Sequence, residues 1–321
     1  MGHAGWPGGF VLYIRFMKMF LPVLLLVFTR AQAQEYIPLW PKGKMPNTKG
    51  LQLNDSIAHE RAYRIMSPGM YAFFPSKDDN NGAAVLIFPG GGYSHLTYVL
   101  GGFQLAKWFN TLGMSAFVVN YRLPNSPDLK QREVAPLQDA QRAIRLVRAN
   151  AARWAIDPHK VGVQGSSTGG HLASLVATHM KDVAAIADAL DTVSFNPDFM
   201  ILVSAVIDMG VYAHKGSKDN LLGVDASAAL VAEYSTQNGV TPQTPPAFIA
   251  DAFNDKTVSP QNSLLFYQAL LKNNVSASFH VFPQGGHSIG TNNNPGSAGL
   301  WMTLCESWLK EMGFIAWPSK K

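Results

Sequence analysis

The sequence is 321 residues long, with a single cysteine, Cys305, and only 15% charged residues. One thiol excludes an intrachain disulfide and a metal cage built from thiolates. Its apolar, helix-like surroundings, LWMTLCESWLKEM, read as a core or near-surface position. Runs of like charge are also missing. The formal net charge of +5 owes most to the first 33 residues, where Arg15, Lys18 and Arg30 meet no acid. Without those three of the 26 basic residues, 23 face 21 acidic ones, a balance of +2. So small and scattered an excess excludes the basic surface that nucleic acid or an anionic membrane requires. Repeats and low-complexity tracts are absent. The apolar run Phe20–Phe28 falls short of the roughly 20 residues of a spanning helix.

What is present begins with a leader pattern. KMFLPVLLLVFTRAQAQ offers Lys18, the apolar run, and Ala31 and Ala33 in an A-x-A arrangement, which together read as an export signal. The expectation is a cleaved signal over 1–33 and a single α/β catalytic domain over 34–321. The chain would then be exported, to the periplasm or outside the cell, with no stable membrane insertion. A retained anchor is the alternative, and Met17 and Met19 compete with Met1 as the start.

The remaining 47% apolar composition falls into a regular alternation. A short continuous apolar run at 83–89 (AAVLIFP) reads as a strand buried on both faces, and 115–123, 160–165, 199–207, 246–253 and 276–283 read as further strands. Helical spacing is found at 103–113, 136–156, 168–180, 259–274 and 300–312. This order predicts parallel βαβ units in one mostly parallel central sheet with helices on both faces. Residues 61–75 read as one or two short strands broken at Pro68-Gly69. Residues 181–245, rich in Asp, Ser and Gly, read in large part as an insertion over one end of the sheet.

The chemistry centres on VQGSSTGGHLAS (163–174). G-x-S-x-G fits in one phase only, with Gly165 and Gly169 flanking Ser167; the other phase would need glycine at Gln164 and Thr168. A strand runs into the motif and a helix leaves it, the setting in which a tight turn lifts a serine above a sheet. The N–H of Thr168 then faces a developing oxyanion. Ser166 reads as a packing or supporting hydroxyl. A serine needs a base and a group to orient that base. His287, after two glycines in FHVFPQGGHSIG, occupies the loop beyond the last strand. His171 and His280 read as packing residues, and His179 and His214 lack a suitable neighbourhood. For the acid, FIADAFNDKTVSP offers Asp251 within the strand and Asp255 just beyond it. Asp255 is the better placed, and Asp208 is a reserve. FPGGGY (88–93) supplies Gly91 and Gly92 as further backbone donors. A nucleotide reading of those glycines fails, because His95 stands where a last glycine would be and no Walker lysine follows.

Nearly the whole of 34–321 resembles, in order, the α/β-hydrolase fold family of acetylxylan-esterase-like and feruloyl-esterase-like carbohydrate esterases. The resemblance is carried by IPLWPKGKMP, VLIFPGGGYSHL, WFNTLGMSAFVVNYRLP, PLQDAQRAIRLVR, WAIDPHKVGVQGSSTGGHLAS, HKGSKDNLLG, TPQTPPAFIADAFNDKTVSPQNSLLFYQALL and FHVFPQGGHSIG. It implies nucleophile, acid and base at Ser167, Asp255 and His287, and an oxyanion loop at Gly91 and Gly92. It also implies acyl transfer without metal or organic cofactor, on an acylated oligosaccharide or polysaccharide. Three positions depart from the family pattern: Thr168 where Ala is common, Asn254-Asp255 for an Asp pair, and Leu100-Gly101 for Glu-Gly. A general short-chain esterase, a peptidase-like hydrolase and an inactive carbohydrate-binding protein are the alternatives.

Overall fold

The computed structural model describes Met1, residues 34–287 and residues 289–317. The leader expected over 1–33 lies, apart from Met1, outside these residues. In chain order the strands are β1 (Tyr36–Pro38), β2 (Ser56–Ala58), β3 (Arg61–Arg64), β4 (Gly69–Phe73), β5 (Ala84–Phe88), β6 (Ser115–Asn120), β7 (Val161–Ser166), β8 (Met200–Val203), β9 (Ala247–Ala252) and β10 (Ala277–Phe282). The helices are α1 (Gln104–Thr111), α2 (Val134–Ala149), α3 (Thr168–Thr178), α4 (Lys215–Leu222), α5 (Ala228–Glu233), α6 (Gln261–Lys272) and α7 (Trp301–Glu311).

Strand β5 shows why a two-sided sheet forms. All five residues of AVLIF are buried; Ala84, Leu86 and Phe88 enter one apolar layer, Val85 and Ile87 the other. Strand β6 repeats the division, with Phe117 and Val119 on one side and Ala116 and Val118 on the other. A strand with no polar position must be covered on both faces. Leu137, Ile144, Leu172, Val176, Phe266 and Leu270 of α2, α3 and α6 cover one. Leu105, Phe109, Trp301, Cys305 and Trp308 of α1 and α7 cover the other.

Eight strands pair in the order β1-β4-β6-β5-β7-β8-β9-β10. The pairs from β6 through β10 are parallel, whereas β1 and β4 join antiparallel at one edge. The chain leaves β5 for β6 on one side and returns to β7 on the other. Loops after β5 and β7 therefore diverge at a switch point, where open α/β sheets bind ligands.

Several boundaries are shorter than the apolar runs. The 199–207 run is strand only to Val203; Ser204 then turns with φ 46°, and Ile207 and Asp208 N–H both donate to Asn262 Oδ1 at 2.9 Å. The 136–156 helix ends at Ala149. Helix α1 is preceded by a π-helical turn at Val99–Phe103. Residues 181–245 hold β8, α4 and α5. The segment 181–198 is tied to α2 by Arg142–Asp188, Arg145–Asp182 and Arg148–Asp198 ion pairs at 2.6–2.8 Å. No helix among the described residues is long and apolar enough to cross a membrane.

Candidate active site

Strand β7 ends at Ser166 and the chain reverses at Ser167 into α3. Ser167 has φ 56° and ψ −125°, a backbone state costing roughly 1–3 kcal/mol outside glycine. The glycines around it are a steric requirement. A Cβ at Gly165 would lie 2.0 Å from Gly169 O, and one at Gly169 1.8 Å from Phe88 O. The turn is braced by the departing end of β8: Ser167 N–H donates to Val203 O at 3.2 Å, and Ser167 O accepts Val206 N–H at 3.0 Å.

The loop after β9 holds Asp255, and the loop after β10 holds His287. His287 Nδ1 lies 2.7 Å from Asp255 Oδ2, and its Nε2 lies 2.9 Å from Ser167 Oγ. A carboxylate only accepts, so Nδ1 carries the ring proton and Nε2 is left to accept from the serine hydroxyl. Burial alone would raise the Asp255 pKa. The hydrogen bond from His287, with those from the N–H groups of Val258 and Thr257, outweighs it and holds the carboxyl below its usual range. Gly286 (φ 58°) turns the His287 loop, and its N–H donates to Asn254 Oδ1 at 2.8 Å. Asn254, one of the three departures from the family pattern, thus anchors the base's loop.

The pairing of Phe88 with Gly165 sets the glycine loop beside the serine. Three side chains hold that loop. Tyr121 OH donates to Pro89 O at 2.7 Å, and Asn220 Nδ2 of α4 donates to Gly92 O at 2.8 Å. Tyr93 OH meets His171 Nδ1 at 2.8 Å, while His171 Nε2 faces Tyr234 O at 2.8 Å. A carbonyl only accepts, so His171 is protonated at Nε2 and Tyr93 is the donor. Burial, partly opposed by the Tyr234 carbonyl, lowers the His171 pKa to about 4. Of the three backbone donors expected from sequence, Gly91 N–H is already engaged: it donates to Thr168 Oγ1 at 3.2 Å. Gly92 N–H and Thr168 N–H make no hydrogen bond within the described residues.

A cavity of about 540 Å³ opens over Ser167. Leu100, Leu105 and Ile289 give it an apolar wall; Arg61, Ser94, His95, His214 and Thr257 are polar. Asp251 and Asp208, the other acids considered, are used elsewhere. Asp251 is buried and accepts from Ser263 Oγ at 2.7 Å. Asp208 accepts from Gln237 Nε2 at 2.9 Å and Tyr212 N–H at 2.8 Å. His171 and His280 pack as expected, but His214 lines the cavity together with Ser167 and His287. Its one local signal is the family-like segment HKGSKDNLLG that it opens, and what brings it to the cavity is the path of residues 204–222 over the sheet. Among the described residues no three His, Cys, Asp or Glu side chains converge as a metal ion would require.

Comparison with known proteins places the chain in a family. The model of the BD-FAE family matches residues 70–270. An acetylxylan esterase of Xylanibacter ruminicola is 34% identical over 249 residues, 76% of this chain and 47% of its own length. Endo-1,4-beta-xylanase B of Butyrivibrio fibrisolvens is 31% identical over 78% of this chain and 40% of its own. The chain thus spans about half or less of the curated relatives it matches. The crystal structure of an acetyl ester-xyloside bifunctional hydrolase from Caldicellulosiruptor lactoaceticus superposes with a TM-score of 0.77. That protein is 36% identical, over 88% of this chain and 98% of the other. A carboxylesterase of Lactobacillus plantarum, 24% identical over 83% of this chain and 100% of its own with a TM-score of 0.66, shares the fold.

Proposed function

We propose, from the premise that the chain belongs to the BD-FAE family of α/β-hydrolases and is a hydrolase of ester bonds, that it is an exported serine esterase removing acetyl or other small acyl groups from plant-type polysaccharides or their oligosaccharides. The observation that carries the mechanism is the unbroken chain from Ser167 Oγ to His287 to Asp255, at 2.9 and 2.7 Å. His287 Nε2 takes the hydroxyl proton as Ser167 attacks the ester carbonyl. Asp255 keeps the ring in the tautomer that can accept, then stabilises its charge. The oxyanion forms against Thr168 N–H and Gly92 N–H, with Gly91 N–H held back by Thr168 Oγ1. His287 returns the proton to the departing sugar oxygen, the ester bond breaks, and an acyl-serine remains. Water, deprotonated by the same imidazole, then releases the acid and restores Ser167.

The substrate class rests on the acetylxylan esterase and the acetyl ester-xyloside hydrolase among the relatives. Export rests on the leader pattern of residues 1–33. The deciding experiment is acetate release from acetylated xylo-oligosaccharides by residues 34–321, with the Ser167→Ala variant beside it. Release by the parent alone supports both nucleophile and substrate class. The apolar wall of Leu100, Leu105 and Ile289 favours a second reading, a general short-chain esterase. Ser167-dependent cleavage of an aryl acetate with no release from the sugar would select it.

A further inference from the structure

Besides His287 and His95, the cavity holds a third imidazole, whose hydrogen-bonding state is set by its own helix. His214 is the N-cap of α4: its Nδ1 accepts the N–H of Ser217 at 3.3 Å and meets Ser217 Oγ at 2.7 Å. A nitrogen that accepts a backbone N–H carries no proton, so in the neutral ring Nε2 is the protonated nitrogen. Nε2 has no partner among the described residues. The ring is half-buried, and Gly216 faces its Cε1 edge, where an added Cβ would stand in ordinary contact at 3.4 Å. His214 and Ser167 line the same cavity.

Position within the cavity tells which part of a substrate the donor would meet. The departing oxygen must come within reach of His287 Nε2, since that nitrogen protonates it. Tyr212 O and Ser259 O both accept from Asn262 Nδ2 at 3.0 Å, which ties the segment leading to His214 to the loop after β9 that carries Asp255, and Thr257 of that loop lines the cavity with His214 and His287. The wall beside His287 therefore belongs to the alcohol half of the ester. A sugar alcohol differs from a simple one in carrying a second hydroxyl next to the ester carbon.

We propose that His214 forms a leaving-sugar subsite, its Nε2–H donating to the free hydroxyl adjacent to the ester being cleaved. This rests on the carbohydrate reading above and refines it. A donor fixed by a helix cap costs little ordering on binding, and it discriminates sugar esters from alkyl or aryl esters that lack the hydroxyl.

The test is a two-by-two comparison of kcat/KM. One substrate is a methyl xyloside with a single acetyl and a free neighbouring hydroxyl; the other is its deoxy analogue without that hydroxyl. The enzymes are the parent and His214→Asn, whose side-chain oxygen can replace Nδ1 as the cap of α4 and whose amide N–H₂, on the branch that replaces Cδ2, stops short of the Nε2 position. The parent should prefer the hydroxylated ester about tenfold, the scale of one neutral hydrogen bond. In His214→Asn the preference should vanish, the hydroxylated and deoxy esters then being turned over with equal kcat/KM. The parent's own deoxy preference reads the subsite without any mutation, so a poorly folded variant does not shield the inference. Parent release from both sugars at equal rates overturns this inference alone, as does a preference that survives in His214→Asn. If the parent releases acetate from neither sugar, the substrate reading beneath it falls as well.

Discussion

Thr168 Oγ1 accepts the N–H of Gly91 at 3.2 Å, so the residue following the nucleophile also governs how many backbone donors the glycine loop offers. Replacing Thr168 by Ala frees that amide. The loop keeps its other anchors, Tyr121 to Pro89 O, Tyr93 to His171 and Asn220 to Gly92 O. The kcat of Thr168→Ala on an aryl acetate should rise about three- to tenfold, a fraction of what a whole oxyanion donor contributes. Stopped assays at saturating substrate would read this. A fall in kcat would show that the threonine holds the loop in place and does not withhold a donor.

Asn220 is 128 residues from Gly92 in sequence, yet its amide holds the Gly92 carbonyl at 2.8 Å. Asn220→Ala should leave the fold intact, because α4 keeps its His214 cap, while letting the neighbouring peptides turn. The expected result is a kcat lower by roughly tenfold with KM little changed, since the loss falls on a charge present only in the transition state. Equal changes in kcat and KM would argue against a donor-orienting role.

Asp255→Asn should lower kcat by a factor on the order of 10⁴, because an amide can hold His287 in the wrong tautomer. A second readout follows from linkage. The Asp255 pKa is depressed in the fold. Its stabilisation is thus present above the unfolded carboxylate value and is lost as pH falls through the folded one. The melting-temperature gap between parent and variant should shrink below about pH 4. A gap that stays constant with pH would contradict this.

Asp251 behaves in the opposite sense. Burial, opposed by hydrogen bonds from Ser263 and Ala252, raises its pKa from 3.8 to about 6. Between those values the folded chain binds more protons than the unfolded one, so stability falls as pH rises through that window and stays lower above it. Asp251→Asn, which cannot ionise, should be more stable than the parent at pH 8, by an amount on the order of 3 kcal/mol at most. The advantage should disappear near pH 4. Chemical denaturation at the two pH values measures the crossover, and a variant less stable at both would refute the argument.

Much of this protein could be read along the chain because the relevant physics is local. A short continuous apolar run such as AAVLIFP reads as a strand covered on both faces, and the observed strand, AVLIF, is shorter by one residue at each end. The G-x-S-x-G phase singles out Ser167, and Gly165 is required within the turn itself, where a Cβ would lie 2.0 Å from Gly169 O. Serine, acid and histidine stand just beyond the ends of the parallel strands β7, β9 and β10, which is why chain order and strand ends pointed to Asp255 and His287.

Contacts between distant segments were not. His214 reads as an unremarkable loop histidine until the chain after β8 turns at Ser204 and carries it over the sheet. The engagement of Gly91 by Thr168 joins residues 77 apart, and the Arg–Asp ties of α2 to 181–198 join residues 37 to 50 apart. Hydrogen bonds of this kind depend on the direction of a side chain across a packed interface. Periodicity and turn chemistry carry no record of that direction. The sheet, the elbow and the order of reactive groups are therefore properties of sequence pattern, whereas the donors available to an oxyanion and the wall that would meet a sugar arise only when separate loops are brought to one end of the sheet.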